Sequence, residues 1–114
     1  ELTTDPDPFF RASLAGVIER LGSPSGARAM VVLLADPEWN VRRSAAQALG
    51  TVGGKGEVLA LIGALADKDA SVRETVYAAI AAIARTPLPT FDPNGPEEAR
   101  KGQIAAIRAW WERR

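Results

Sequence analysis

The chain has 114 residues, with 14 basic and 14 acidic side chains that give a net charge of zero, and it contains neither histidine nor cysteine. Balanced charge provides no overall field to attract nucleic acid or an anionic membrane, and no apolar run approaches the ~18 residues of a membrane-spanning helix, so we expect no membrane contact. The absence of histidine and cysteine excludes thiol chemistry, imidazole acid–base catalysis and Cys/His metal centres, and we expect no cofactor.

The first predicted helix lies within DPDPFFRASLAGVIERLG, residues 5–22, and runs from Asp7 to Leu21. Only about six residues precede Asp7, so this stretch has no room for a leading helix. We therefore expect either a short monomeric protein with an unusual start or a piece of a longer repeat array.

Residues 23–53 carry the signals of a helix pair. A leading helix is predicted from Pro24 to Ala35, because proline suits the first position of a helix. A second helix is predicted to end at Val52, with Asn40 as its cap. Its apolar residues recur at helical spacing: Val41, Ala45, Ala48, Leu49 and Val52.

Residues 54–85 repeat this organisation, with helices predicted over 55–66 and 71–85. Ser71 followed by Glu74 predicts a capping box at the start of the second of these helices. The glycine-rich stretch between the pairs, GTVGGKGE, lacks the leading glycine and the Ser or Thr after lysine that a phosphate-binding loop requires. Glycines that end a helix and form a turn explain it better.

One pattern recurs in these stretches at an interval of 31 residues. The second and third stretches share identical residues at six paired positions: Leu34/Leu65, Ala35/Ala66, Asp36/Asp67, Val41/Val72, Arg42/Arg73 and Ala48/Ala79. The first stretch matches the second at six positions: Asp5, Pro6, Arg11, Ser13, Ala15 and Gly22. A helix pair cannot bury its apolar face alone, so each unit is expected to stack on the next.

The Asp36–Val41–Arg42 and Asp67–Val72–Arg73 registers, with the aliphatic residues that follow them, resemble the HEAT-like repeat family in its short bacterial form, which also occurs in phycobiliprotein lyases. The resemblance implies an all-α solenoid of stacked antiparallel helix pairs, with about six helices here. It also implies a structural ladder of Asp and Arg residues between units: Asp5, Arg11, Asp36, Arg42, Asp67 and Arg73. We expect one domain over 1–114, with units at about 5–22, 23–53 and 54–85 and a capping segment at 86–114.

The segment 91–114 resembles a closing segment of such bacterial repeat proteins, with an aromatic-Asp-Pro turn followed by a Trp-rich helix. Capping repeats are atypical, so the insertion TPLPTFDPNGP that breaks the period is expected here. The residues predicted to cover the last unit are Ile104, Ile107, Trp110 and Trp111. Of the two tryptophans, we expect one to pack inward and the other to lie half exposed.

The charged residues invite two other interpretations. The row Arg11, Arg42, Arg73 could bind phosphates, but equal numbers of Asp and Arg at equal intervals favour the ladder, and the next positions (Ala12, Arg43, Glu74) form no basic track. The turn carboxylates could hold calcium or act in catalysis, yet they lack calcium-loop spacing and a neighbouring nucleophile: Asp36, Glu38, Asp67 and Asp69. We therefore expect no enzymatic activity.

The remaining candidate surface is the face formed by the second helix of each unit. We expect it to bind a protein or peptide, as a non-enzymatic scaffold, through Trp39, Arg43, Gln47, Glu74 and Ala78. Trp39 could instead pack across a repeat boundary. Two alternatives stay open: a nucleic-acid-binding module, which the balanced charge disfavours, and a purely structural segment of a longer repeat protein.

Overall fold

A computed structural model describes residue 4 and residues 6–114 of the chain. Its six α-helices are α1 Pro8–Leu21, α2 Ala27–Leu33, α3 Trp39–Val52, α4 Val58–Ala64, α5 Ala70–Ala84 and α6 Glu97–Glu112. Short 3₁₀ turns, Pro24–Gly26 and Lys55–Glu57, precede α2 and α4. No strand occurs in these residues, and none of these helices is long and apolar enough to cross a membrane. The predicted all-α fold is confirmed.

The helices form two layers. In one layer α3 packs between α1 and α5, and in the other α6 packs against α4. The layers meet where α2 packs on α3 and α4 packs on α5. The long helix α6 thus lies beside α4 where the leading helix of a further pair would stand.

The core between the layers is built mainly from aliphatic side chains and alanine. Ala45, Ala46 and Ala48 on α3 are completely buried, and small residues of this kind let helices approach closely. At Gly50 the approach is tight, because an added Cβ would lie 3.3 Å from the Cα of Ala79 on α5. A larger side chain at this position would force the two helices apart.

The observed N-terminal caps of α3 and α5 differ from the predicted ones. On α5 the cap is Asp69, whose carboxylate accepts hydrogen bonds from the amides of Ser71 and Val72, while the Ser71 hydroxyl also donates to it at 2.6 Å. The predicted Ser71–Glu74 capping box is therefore wrong, because a carboxylate two residues upstream takes the role. Asn40 lies inside α3, which begins one residue earlier without a side-chain cap.

The leading helices are shorter than predicted. The expected helix over 24–35 divides into a 3₁₀ turn and the seven-residue α2, and its counterpart before α5 divides in the same way. At the second turn the amide of Gly54 donates to the Glu57 carboxylate at 2.6 Å, which gives this turn its own cap.

The segment between α5 and α6 wraps over the last helix pair. The Tyr77 hydroxyl donates to the carbonyl of Pro89 at 2.8 Å, and its ring lies 5.6 Å from the buried ring of Phe91. Burial raises the pKa of Tyr77. This segment fixes the start of α6, from which Ile104 and Ile107 enter the core.

The two tryptophans at the end of α6 are both partly buried against the core. Their rings lie 6.1 Å apart, and the guanidinium of Arg114 lies 4.9 and 5.3 Å from the ring centres of Trp110 and Trp111. The expected division into one inward and one half-exposed ring is not what the structure has, because both rings pack against the core and Arg114 lies over both.

Candidate protein-interaction surface

The ladder residues join each unit to the next through buried ion pairs. Arg11 donates from Nε and Nη2 to the two carboxylate oxygens of Asp36 at 2.6 and 3.0 Å. Arg42 makes the same two bonds to Asp67 at 2.7 and 3.1 Å. Each arginine thus reaches the aspartate 25 residues ahead, in the following unit. Asp5 lies outside the described residues.

The ladder arginines also bind backbone carbonyls within their own units. Arg42 Nη1 donates to the carbonyl of Asp36 at 2.8 Å, and Arg73 Nη1 donates to that of Asp67 at 2.7 Å. These buried donors are directed at protein acceptors, so the arginines do not form an exposed row that could track phosphates. The carboxylates are occupied as well, because Asp36 and Asp67 accept from amides two residues ahead.

The pKa values at the ladder follow from these contacts. Burial acts to raise the pKa of Asp36, but the hydrogen bonds from Arg11 and the Glu38 amide and the charges of Arg11 and Arg42 outweigh it, so the pKa lies below its ordinary value. The hydrogen bond to Asp67 raises the pKa of Arg42. The first shift favours the ionised Arg11–Asp36 pair, and the second favours the ionised Arg42–Asp67 pair.

The predicted binding residues lie on α3 and α5, with exposed side chains at Trp39, Arg43, Gln47, Glu74 and Ala78. Two of them come together, because Gln47 and Ala78 line a shallow groove of about 240 Å³ between these helices. Arg43 and Glu74 each precede a groove residue by one helical turn and lie outside its lining. Trp39 is 48% exposed at the first position of α3 and also lies outside it.

The remaining residues of this α3–α5 groove were not singled out by the sequence analysis. They are small: Gly50, Thr51, Thr75, Ala79 and Ala82. Small residues at spacings of three or four on both second helices were the available signal. The sequence pattern alone did not identify them as a groove, because one helix face includes both core positions and the groove beside them.

The α3–α5 groove offers shape rather than reactive groups. Its hydroxyls are engaged, since Thr75 donates to the Ser71 carbonyl at 3.0 Å and Thr51 donates to Glu19 at 3.3 Å. Within residues 6–114, no acidic or basic side chain lines it. Such a groove can accept an apolar or small side chain and offers no group for acid–base chemistry.

A second exposed apolar surface lies on α1. Phe10, Val17 and Leu21 are 42%, 40% and 71% exposed, and with the half-buried Leu14 they follow helical spacing along one face. We call these four residues the α1 stripe. In a repeat protein such a face is one on which another helical unit can stack.

The helix pairs, the two layers and the arginine–aspartate links define an α-helical repeat protein. A sequence model of the HEAT repeats matches residues 1–84, which is most of the chain, and the protein belongs to the HEAT repeat family. No curated protein matched the chain. HEAT repeats generally mediate protein interactions or act as scaffolds, and the family is typically non-enzymatic.

Proposed function

We propose that the chain is a non-enzymatic interaction module that binds a peptide segment of a partner protein in the α3–α5 groove. The observation that carries the proposal is the groove itself, with Gln47 and Ala78 exposed on its two sides. Arg43 and Glu74, one turn away on the same helices, supply one charge of each sign. This combination suits a partner with a small apolar side chain flanked by charged residues.

The test is affinity capture with a groove-blocking variant. Ala78→Arg places a long side chain in the groove, whereas Ala106→Arg makes the same change on the exposed side of α6 and serves as the matched control. A partner of this groove should be retained by the wild type and the control and be depleted at least tenfold by Ala78→Arg, with binding then measured on purified components. If every captured protein binds the two variants equally, the proposed site is wrong.

The two charged positions are tested with a charge exchange. Arg43→Glu combined with Glu74→Arg keeps the net charge and inverts the local pattern. If these residues contact the partner, its dissociation constant should rise several-fold while the melting temperature stays within about one degree. An unchanged dissociation constant would restrict the contact to the groove.

A nucleic-acid function is disfavoured by the arrangement of charge. The exposed Arg43 and Glu74 alternate in sign, and the ladder arginines Arg11, Arg42 and Arg73 are buried. We expect duplex DNA to bind no better than the non-specific range of about 10⁻⁴ to 10⁻⁶ M near physiological salt. Submicromolar binding with a steep salt dependence would overturn this.

A purely structural role is the second candidate, and the α1 stripe favours it. An apolar face of this kind would be covered if another helical unit packed on α1. If this is the role of the chain, the isolated protein should associate as its concentration rises, as measured by sedimentation, and Val17→Lys with Leu21→Lys should abolish the association. Val32→Lys changes an apolar residue on α2 that is 58% exposed, a value between those of Val17 and Leu21, and should leave association intact. A wild-type chain that stays monomeric at all concentrations would count against this role.

A further inference from the structure

A pocket of about 300 Å³ lies where the α4–α5 turn and α5 meet the first turns of α6. Ala66 and Ile104 supply apolar parts of its lining, and charged side chains supply the rest. It is separate from the α3–α5 groove and shares no lining residue with it. We call it the junction pocket.

The junction pocket borders the last ladder arginine, whose hydrogen bonds differ from those of the arginine before it. Arg42 places Nε and Nη2 on both oxygens of a carboxylate. Arg73 places Nε on the carbonyl of Pro93 at 2.9 Å and Nη1 on that of Asp67, and its Nη2 has no acceptor within hydrogen-bonding distance in the described part of the chain. Arg73 is nevertheless only 7% exposed. In the described residues no buried side-chain nitrogen or oxygen lacks a hydrogen-bond partner, so Nη2 is the part of this guanidinium that reaches solvent, where an acceptor can bind it.

The chain has a turn where the third carboxylate of the ladder would be expected, but the turn presents a different group. Asp92 accepts from the amide of Asn94, as Asp36 accepts from that of Glu38. The Asp92 side chain is exposed, however. Arg73 instead donates to the backbone carbonyl of Pro93, the residue after Asp92, which lies 20 positions ahead of Arg73. A single peptide carbonyl therefore replaces the two oxygens of a carboxylate.

The charges around the junction pocket favour an anion. Among the described residues, four basic side chains line it against two acidic ones: Lys68, Arg73, Arg100 and Lys101 against Asp67 and Glu97. The Asp67 carboxylate is bound by Arg42. Lys101 lies 3.7 Å from Glu97 and 3.4 Å from Glu98, and these two carboxylates are 71% and 88% exposed, so water screens both pairs. The N-terminal end of the 16-residue α6, which has no side-chain cap, adds its positive partial charge. A chain with zero net charge thus has a locally cationic pocket.

We propose that the junction pocket binds a carboxylate, which completes the third rung of the ladder by accepting from Arg73 Nη2 and is held by Lys68 and Lys101. The carboxylate belongs to an acidic side chain of a bound peptide or to a small carboxylic acid. The carboxylates already bound by Arg11 and Arg42 show the ligand preferred by this arginine position. The two-oxygen geometry of a carboxylate also matches a guanidinium edge.

The experiment is a nuclear magnetic resonance titration of the ¹⁵N-labelled full chain, observing the side-chain N–H of Arg73, at constant ionic strength. The probes are a capped peptide with two Asp residues, its Asn counterpart, acetate and inorganic phosphate. We expect saturable shifts at Arg73 with the Asp peptide or acetate, and none with the Asn peptide. Saturation by acetate would identify a small carboxylate as sufficient, and saturation by the peptide alone would identify an acidic side chain; both support the site.

Matched variants separate this site from general attraction of anions. Lys68→Gln with Lys101→Gln removes two charges at the pocket, whereas Lys55→Gln with Arg108→Gln removes two exposed charges elsewhere. Affinity should fall at least fivefold in the first variant and stay within twofold in the second. Ala78→Arg in the α3–α5 groove should have no effect, so failure here is distinguishable from failure of the proposed function.

Three results would overturn the proposal. One is the absence of a saturable Arg73 shift with both carboxylate probes. Another is an equal loss of affinity in the two double variants, which would indicate attraction by net charge alone. The third is a response to phosphate without a response to carboxylate. Melting curves of each variant establish that the comparison is made between folded proteins.

Discussion

At the scale of single residues, Arg42 and Arg43 are neighbours in sequence with opposite surroundings. The Arg42 guanidinium makes four hydrogen bonds, to Asp67 and to the carbonyls of Asp36 and Pro37, and its side chain is 7% exposed. Arg43 is exposed. We expect Arg42→Ala to lower the free energy of unfolding by about 2 to 4 kcal/mol, because it leaves a buried carboxylate and two backbone carbonyls without their donor.

The matched control is Arg43→Ala, for which we expect a change within about 0.5 kcal/mol. Denaturant unfolding followed by circular dichroism measures both variants. Equal losses of unfolding free energy in the two variants would mean that the ion pairs between units contribute no more to stability than an exposed side chain on the helix surface.

Asp36 predicts how stability depends on pH. Its pKa in the folded protein lies below the ordinary value, so its contribution is present above the pKa of the unfolded chain, about 3.9, and is lost as pH falls through the folded value. We expect the difference in unfolding free energy between wild type and Asp36→Asn to be constant near neutral pH and to shrink below about pH 4. Urea unfolding at a series of pH values measures it. A difference that grows towards acid would contradict the direction of this shift.

At the scale of helices, the sequence predicted which helices exist and in which order better than it predicted the residues at which they begin and end. Apolar spacing placed α1, α3 and α5 within about a residue of their observed limits, because each helix has residues of one face packed against the core. The caps were less predictable, since Asp69 and Ser71 are both good capping residues and the backbone conformation of Asp69 decides between them. The shortened α2 and α4 follow 3₁₀ turns, which helical periodicity does not distinguish from α-helix.

The end of α5 has a residue that is unfavourable for its conformation. Arg85 has φ 58°, in the left-handed region, whereas α1 ends at Gly22 with φ 64°. A left-handed backbone conformation costs a non-glycine residue about 1 to 2 kcal/mol. A glycine avoids this cost but loses more backbone entropy on folding. We therefore expect Arg85→Gly to stabilise the protein by about 0.5 to 1 kcal/mol.

Arg85→Ala is the control, because it removes the same charge and keeps the strained backbone. Thermal unfolding should show a higher melting temperature for the glycine variant alone. Equal stabilisation of both variants would instead identify repulsion of the arginine side chain as the cause.

At the scale of the whole molecule, the stacking of units was predictable from the 31-residue register, whereas the sites were only partly so. The register identified Arg11, Arg42 and Arg73 as equivalent, yet the pocket beside Arg73 depends on how the insertion before α6 folds, and that insertion has no repeat to compare with. The α3–α5 groove depends on the distance between two helices, which Gly50 and Ala79 set through contact and not through any motif.

The last prediction concerns the C-terminal segment as a cover for the stack. Phe91, Ile104 and Ile107 are at most 9% exposed, and burying each is worth roughly 1.5 to 3 kcal/mol before conformational entropy is subtracted. Deleting residues 91–114 also removes the Pro93 carbonyl from Arg73. We expect the truncated chain to melt at a sharply lower temperature or to become oligomeric or insoluble, because it exposes the apolar side of α4 and α5.

A point variant of the 114-residue chain separates the effect of uncovering the apolar side of α4 and α5 from the effect of shortening the chain. Ile107→Ala leaves a cavity at a completely buried site and should cost about 2 to 4 kcal/mol, while Ala106→Ser on the exposed side of α6 should cost almost nothing. Calorimetry and sedimentation measure both variants beside the truncation. If the truncated chain stays monomeric with an unchanged melting temperature and instead loses a partner, then the segment binds that partner, and the helix pairs are stable without a cover.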